Sequence, residues 1–526
     1  MPNLIITGFM GTGKTAVGRE VARRLGRPFV DMDSEIEAQA GKSISQIFAQ
    51  DGEPAFRQME AALCRELSAA DGLVIATGGG ALVPPQNRAL MLGSGDVICL
   101  DASPDEIVRR VRSNEDRPLL DVDDARAEIE RLLAIRREAY AAIPWHIDTT
   151  ALSIEAVAEH VIALSKAIVI PVHYPGGAYN VFVGENMLHH VGGALRTAGV
   201  PAGTRVALVS NDIVAPLYAD SAETALRSAG LRPFRCIIPD GEQHKTLATV
   251  ASLYDQFLAS GLDRSGVVLS LGGGVTGDIA GFAAASFMRG VRFAQAPTTL
   301  LSMIDASVGG KTGVDLPQGK NLVGAFKQPA VVIIDPRLLA TLEKAEFRSG
   351  MAEMIKHGVI GAPDLIAELE TEAHRAERVI APAQIARALR VKIDVVEEDP
   401  YERGRRAILN LGHTVGHALE KLSQFTLRHG EAVSIGMVAA ARIALALDRT
   451  QPTVPDRIEH TLSAWGLPVR CPRFEVNDIW RALAHDKKRR GDTLRWILPH
   501  AIGEVTIIED VPKDAVLAVL REMGAE

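Results

Sequence analysis

The chain is poor in sulfur ligands, in aromatic side chains, in long apolar runs and in blocks of one charge. Its four cysteines, Cys64, Cys99, Cys236 and Cys471, are scattered through 526 residues without CxxC spacing. That excludes a cysteine-built zinc site and a disulfide framework, and it fits a reducing cytoplasm. No uninterrupted apolar span of about 18 residues occurs, so no membrane helix is expected. The opening MPNLIITGFMG lacks a basic n-region and runs into a glycine loop, so it does not read as a signal peptide. A net charge of -8 without a single-sign run argues against a general nucleic-acid binder. The balance of 47% hydrophobic to 23% charged residues is that of a globular protein. At this length about two to four domains are expected.

What the chain does have is glycine loops and clustered histidines. In the stretch NLGHTVGHALEKLSQFTLRHGE, residues 410–431, the apolar positions Val415, Ala418, Leu419 and Leu422 follow a helical period. His413 and His417 then share one face, and His429 arrives on the next segment. Neutral imidazoles converging in a largely uncharged region suit Zn2+ and other first-row metals. The same spacing also fits a capped helix with partly buried histidines.

Near the N-terminus, the apolar strand Leu4-Ile5-Ile6 is followed by Gly8-Phe9-Met10-Gly11-Thr12-Gly13-Lys14-Thr15 and then by an amphipathic helix with Val17, Val21 and Leu25. This is a P-loop in its proper context. The turn at Gly11, Thr12 and Gly13 directs backbone N–H groups at phosphates, Lys14 reaches the terminal phosphates and Thr15 ligates Mg2+, which predicts ATP or GTP binding. Val30-Asp31-Met32-Asp33 reads as the end of a second strand, with both carboxylates on one side: one for the magnesium shell, one for an acceptor hydroxyl. Arg57, Arg117 and Arg136, with the turn Thr77-Gly78-Gly79-Gly80, suggest a pocket for a small anionic acceptor.

The motifs GFMGTGKT, DMD, FR, ATGGG, RPLL and R-x3-Y together make residues 1–165 resemble a shikimate kinase, with a parallel-sheet P-loop fold. The resemblance implies that Asp33, Arg57, Arg136, Gly79 and Gly80 hold shikimate and that Thr15 and Asp31 support Mg2+. It also implies that Asp33, Lys14 and, on a closing lid, Arg117 act on the transferring phosphoryl group.

A second α/β pattern begins near Ile168, with strands over 206–210, 236–238 and 267–271. After the last comes Gly272-Gly273-Gly274-Val275-Thr276-Gly277-Asp278, which satisfies G-x-G-x-x-G at a strand-to-helix turn and predicts a dinucleotide pyrophosphate site. Lys311 and Lys320 stand in glycine-rich loops and read as phosphate or carboxylate contacts. From about residue 340 the pattern is mostly helical, over 346–359, 366–372 and 383–396. The break near Asp335-Pro336 implies a cleft between an α/β half, 166–338, and a helical half, 339–526, with Glu353-Met354-Ile355-Lys356-His357 opening onto it. A carboxylate from there with His413 and His429 would make a catalytic three-ligand zinc site.

The stretches PDGEQHK, LGGGVTGD, D-SVGGKTGV, GKNLVGAF, AEMIKHG, LNLGHTVGHALE, HGEAV and DKK are similar to those of 3-dehydroquinate synthases over residues 168–526. The resemblance implies Zn2+ or Co2+ on Glu353, His413 and His429. It places NAD+ on Asp240, Glu242, Lys245, Gly274, Val275, Gly277, Asp278, Thr298, Thr299, Lys311 and Lys320. Around the substrate it places Arg289, Asp305, Lys311, Asn321, Lys356, Lys392, Arg406, Asn410, His417 and Lys487, with Glu402 and His417 handling protons. Either Asn211 or Asp212 would hold the adenosine ribose. Two positions depart from the usual pattern: Asp315 for asparagine and Arg405 for leucine.

The two resemblances imply a bifunctional enzyme of the route to chorismate, without channelling because the two steps are not consecutive. It would phosphorylate shikimate with ATP-Mg2+ and convert 3-deoxy-D-arabino-heptulosonate 7-phosphate to 3-dehydroquinate with NAD recycled. A homodimer through the synthase part is expected. The alternatives are a metal-dependent polyol dehydrogenase in the second part and a nucleotide-sensing module in the first.

Overall fold

The computed structural model describes the chain except residues 113–124, 374–378, 403, 425, 491–493 and 510, and the side chains of 112, 125 and 484–490. Two compact units emerge. One comprises Met1–Ala167, Asn186–Val206 and Asp220–Phe234; the other comprises Ile168–Glu185, Ala207–Ala219 and Arg235–Glu526. The first therefore takes in two segments that follow residue 165 in sequence, which a reading along the chain has no means of assigning.

The first unit contains five strands: β1 (Asn3–Gly8), β2 (Phe29–Asp31), β3 (Val74–Ala76), β4 (Gly95–Asp101) and β5 (Trp145–Asp148). Their order is β2-β3-β1-β4-β5, with every neighbouring pair parallel. The central strand β1 is buried along its whole length, which is why it reads as an unbroken apolar run. It delivers the glycine loop to the N-terminus of helix Lys14–Leu25, which buries Val17, Val21 and Ala22 against the sheet.

Asp31 ends β2 and caps helix Met32–Ala40, accepting from the backbone N–H of Asp33 at 3.1 Å and of Ser34 at 3.2 Å. Asp33 thus stands on the first helical turn rather than on the strand beside Asp31, because the carboxylate of Asp31 satisfies N–H groups that would otherwise lack partners.

The next strands are β6 (Ile168–Tyr174), β7 (Gly177–Val183), β8 (Arg205–Asn211), β9 (Arg232–Ile238), β10 (Val267–Gly272) and β11 (Arg292–Pro297). A two-stranded hairpin of β12 (Lys311–Leu316) and β13 (Gly319–Phe326) precedes β14 (Val331–Ile334). The seven-stranded sheet has the order β6-β7-β14-β11-β10-β8-β9. From β8 the chain moves to β9 on one side, and from β10 to β11 and β14 on the other. This reversal opens a crevice at the carboxyl ends of β8 and β10, where α/β sheets bind ligands.

Beyond β14 the second unit is mostly helical, with helices Lys344–Gly361, Pro363–Glu372 and Pro382–Glu398 covering the three expected helical spans. Helices His413–Leu422 and His429–Ala446 follow, then a small hairpin of β15 (Trp496–Ala501) and β16 (Glu504–Ile508). Helix His429–Ala446 is buried on nearly all sides, consistent with its almost uncharged sequence. It approaches helix His413–Leu422 so closely that a Cβ on Gly436 would lie 1.9 Å from the carbonyl oxygen of Gly412. Among the described residues no helix is long and apolar enough to cross a membrane.

Candidate active sites

In the first unit the glycine loop is closed on itself. Thr12 Oγ1 and Lys14 Nζ donate to the carbonyl of Phe9, at 2.7 and 2.9 Å, and Gly11 and Gly13 have positive φ. Thr15 Oγ1 donates to Asp31 Oδ2 at 2.6 Å. A hydroxyl and a carboxylate so placed at a P-loop are suited to a shared magnesium shell.

Around the second glycine turn, Arg136 Nη1 and the Tyr140 hydroxyl both donate to the carbonyl of Gly79, at 3.1 and 2.6 Å. A Cβ on Gly80 would lie 2.5 Å from Arg57 Nη1, and one on Gly78 would lie 2.6 Å from Asp33 Oδ1. Asp33, Arg57, Gly79, Gly80 and Arg136 are therefore brought together. Arg117 lies outside the described residues.

Sequence reasoning missed Glu60. It is 1% exposed and accepts from Arg57 Nη1 at 2.6 Å, while its Oε1 has no hydrogen-bond partner. Burial raises its carboxyl above the usual range, and Arg57 opposes that shift. The signal was its i+3 position from Arg57 on helix Gly52–Ser68.

In the second unit the crevice residues lie at strand ends. The turn at Gly272 opens helix Gly274–Ser286, whose first turn carries Gly274, Val275 and Gly277, with Asp278 next. Thr298 and Thr299 follow β11. Asp240, after β9, accepts from Asn211 Nδ2, and its backbone N–H donates to Asp212 Oδ1 at 3.0 Å, so both ribose candidates lie against it. Lys245 is buried between Asp278 at 2.6 Å and Asn321 Oδ1 at 2.6 Å, and Lys320 meets Glu242 at 3.2 Å. The departure at Asp315 has a local role: it accepts from the N–H of Asn321 at 2.7 Å. Arg405 pairs with Glu398 at 2.6 Å.

Glu353 is the hub of the helical side. It is 1% exposed, paired with Lys356, and its Oε1 lies 3.7 Å from His413 Nε2 and 3.6 Å from His429 Nε2. Rather than opening onto a cleft, Glu353, Lys356 and His357 are all buried. Burial disfavours the charged form of Glu353, but Lys356, His429 and His413 hold it well below the ordinary carboxyl range. Burial and the Lys356 ammonium press His413 down to about 3. His429 is half-buried, and although its partial desolvation opposes charge, Glu353 and Glu420 outweigh that and raise it to about 10. A metal bound here would displace the His429 proton.

His413 ring centroids lie 5.1 Å from those of both His417 and His429. A second donor set, His417 with Glu420 and His429, shares His429 with the first. Glu420, also missed in sequence, stands three residues after His417 and meets His429 Nδ1 at 3.3 Å.

Beside this hub lie buried cations. Lys392 pairs with Asp305 at 2.8 Å, and Arg406 donates to the carbonyl of Pro400 at 2.7 Å. Burial lowers both from their usual values, Asp305 partly restoring Lys392 and Glu402 partly restoring Arg406. Lys311 pairs with Glu402, which Asn410 also steadies. Buried cations only partly offset by carboxylates favour an anionic ligand.

One expected substrate contact is not brought in within the chain. Arg289 is exposed with φ 67°, past the far end of helix Gly274–Ser286 and beside the start of β11. That helix is about 20 Å long, so Arg289 is at the opposite end of the sheet from the crevice. The side chain of Lys487 lies outside the described residues.

The first unit thus holds a P-loop phosphotransferase site, and the second pairs a dinucleotide-type crevice with a carboxylate–imidazole metal-type site. Residues 10–166 match the family model for shikimate kinase, while 235–349 and 350–489 match those for the N-terminal and C-terminal parts of 3-dehydroquinate synthase. A 3-dehydroquinate synthase of Synechococcus sp. is 44% identical over 365 residues, 68% of this chain and 99% of that protein.

Two solved structures are each 28% identical with a TM-score of 0.60. A 2-epi-5-epi-valiolone synthase of Streptomyces hygroscopicus subsp. jinggangensis with NAD+ and Zn2+ bound matches 67% of this chain and 98% of its own. A 2-deoxy-scyllo-inosose synthase complexed with carbaglucose-6-phosphate, NAD+ and Co2+ matches 68% and 100%.

The chain belongs to the 3-dehydroquinate synthase family, with a shikimate kinase region ahead of the synthase. It is a bifunctional enzyme of the shikimate pathway, and the matches favour this over a polyol dehydrogenase joined to a nucleotide sensor.

Proposed function

We propose that the two activities reside in the two constellations described above, with residues 1–165 as the kinase, 166–338 as the NAD-binding half of the synthase and 339–526 as its metal and substrate half. In the kinase, Gly11, Thr12, Gly13 and Lys14 hold the ATP phosphates, and Thr15 and Asp31 hold Mg2+. Arg57, Arg136 and the turn at Gly79 and Gly80 bind shikimate, and Asp33 orients the attacking hydroxyl. Glu60 fixes the guanidinium fork of Arg57, and Arg117 acts on the phosphoryl group.

In the synthase, Glu353, His413 and His429 hold Zn2+ or Co2+. The donor set fits such an ion: a buried, ionised carboxylate faces two imidazoles, with sulfur absent. NAD+ occupies the crevice at the ends of β8 and β10, against the turn at Gly274, Val275, Gly277 and Asp278, with Asp240, Glu242, Lys245, Thr298, Thr299, Lys311 and Lys320 around it. When bound, the two cofactors supply Lewis acidity and a reversible hydride acceptor.

The chain's own residues do the rest. Lys356, Lys392, Arg406, Asn321 and Lys487 clamp the phosphate and carboxylate of the heptulosonate, with Asp305 and Asn410 positioning its hydroxyls. Glu402 and His417 move protons. Arg289 reaches substrate only from a second copy of the chain, which makes a homodimer through the synthase part the working unit. The compartment is the cytoplasm, where four buried, unpaired cysteines are at home.

The observation that carries the synthase assignment is Glu353, buried between two imidazoles and beside buried cations. A two-substrate assay of the whole chain tests both halves. Phosphate release from the heptulosonate without net NADH, together with phosphorylation of shikimate, is expected. Steady NADH accumulation would sink the synthase mechanism, and ATP binding without transfer to shikimate would sink the kinase.

A further inference from the structure

Helix Ala125–Ala141 carries both groups that hold the Gly79 carbonyl, Arg136 and Tyr140. The last carbonyls of any helix lack partners within it and sit at the negative end of its dipole. In this helix they are met by two basic side chains. His146 Nε2 lies 3.2 Å from the carbonyl oxygen of Tyr140 and 3.0 Å from that of Ile143, while its Nδ1 lies 2.6 Å from Asp101 Oδ2. Ala141 accepts from Arg196 Nη2 at 2.5 Å, and Arg196 Nη1 donates to its own segment at Val200 O, 2.6 Å away.

Arg196 does not belong to the stretch that matches shikimate kinase. It lies on helix Val191–Thr197, in a later segment that packs into the same compact unit. The contact is a fitted one. A Cβ on Gly193 would lie 2.5 Å from the Trp145 ring and 2.9 Å from the carbonyl oxygen of Pro144, so only glycine permits this approach. The His190 ring meets Trp145 edge-on at 6.4 Å.

We propose that helix Val191–Thr197 is a clamp on the shikimate-binding helix of the kinase, and that Arg196 is a positioning residue for acceptor binding supplied from outside the kinase region. Arg196 touches no substrate. By closing the C-terminal turn at Ala141, one residue past Tyr140, it holds Tyr140 and Arg136 at the Gly79 carbonyl. The proposal rests on the kinase assignment and makes the kinase dependent on sequence outside the stretch that matches its family.

The test uses the full chain. Kinase kinetics are measured with shikimate and ATP varied separately in wild type, Arg196→Ala and Arg196→Lys, with synthase turnover as the internal control. Loss of one charge-assisted hydrogen bond is expected to raise the KM for shikimate about tenfold in Arg196→Ala. The KM for ATP and synthase turnover stay unchanged, and Arg196→Lys recovers most of the loss. An unchanged KM for shikimate, or an equal loss of both activities, overturns the clamp. A wild-type chain that does not phosphorylate shikimate overturns the kinase assignment itself, before any variant is compared.

Discussion

At the scale of single residues, the central distinction is between His413 and His417. Both lie on one face of helix His413–Leu422, and spacing alone assigns both to a metal. Glu353 separates them: it reaches toward His413 and His429, whereas His417 is exposed. His413→Ala should lose bound metal, while His417→Ala should keep it and lose about two orders of magnitude in synthase turnover, as expected for a proton-transfer group. Metal analysis beside steady-state rates decides the matter, and equal metal loss in the two variants would return His417 to the ligand set. Glu60 offers a parallel case in the kinase. Arg57 is held by two carboxylates, the exposed Glu53 and the buried Glu60; Glu60→Gln removes the buried charge and should raise the KM for shikimate about tenfold, with the KM for ATP unmoved.

At the scale of elements, two helices owe their placement to contacts that spacing does not record. Helices His413–Leu422 and His429–Ala446 approach closely because Gly436 faces the Gly412 carbonyl, and this brings His429 against the other two imidazoles. Gly436→Ala should therefore cost about 1–3 kcal/mol by overpacking and weaken metal binding, read from the denaturant midpoint and metal content.

Helix Ala125–Ala141 depends on His146, whose folded value is raised: burial opposes its charge, but Asp101 and the backbone carbonyls outweigh burial. The folded state then holds the proton more tightly than the unfolded one. Its stabilising contribution is complete below about pH 6.5 and is lost as pH rises through the folded value. Thermal melts should show wild type losing stability above about pH 6.5 and His146→Gln losing less; identical pH dependence would remove His146 from this role.

For the whole molecule, the two chemistries use different ions in different units. Stripping Zn2+ or Co2+ with a chelator in excess Mg2+ should abolish 3-dehydroquinate formation and leave shikimate phosphorylation intact. Activity should return with either ion, and loss of both reactions would show that the sites are coupled.

Much of this was legible in sequence because it is local. Whereas Thr15 with Asp31 came only from the resemblance to shikimate kinases, the glycine loops, the turn at Gly272 and the helical face of His413 and His417 all follow from backbone periods and from the few residues that tolerate tight turns. So do the ligand types, since neutral imidazole and carboxylate without sulfur narrow the metal. Other features needed the tertiary structure. Asp33 moved onto a helix when Asp31 became its cap, Arg289 lies at the end of the sheet opposite its own chain's crevice, and Glu60, Glu420 and Arg196 became visible only beside their partners. The physical reason is the same throughout: periodicity says which side chains share a face, but which of them works is set by the buried charge or open carbonyl that another part of the chain brings to it.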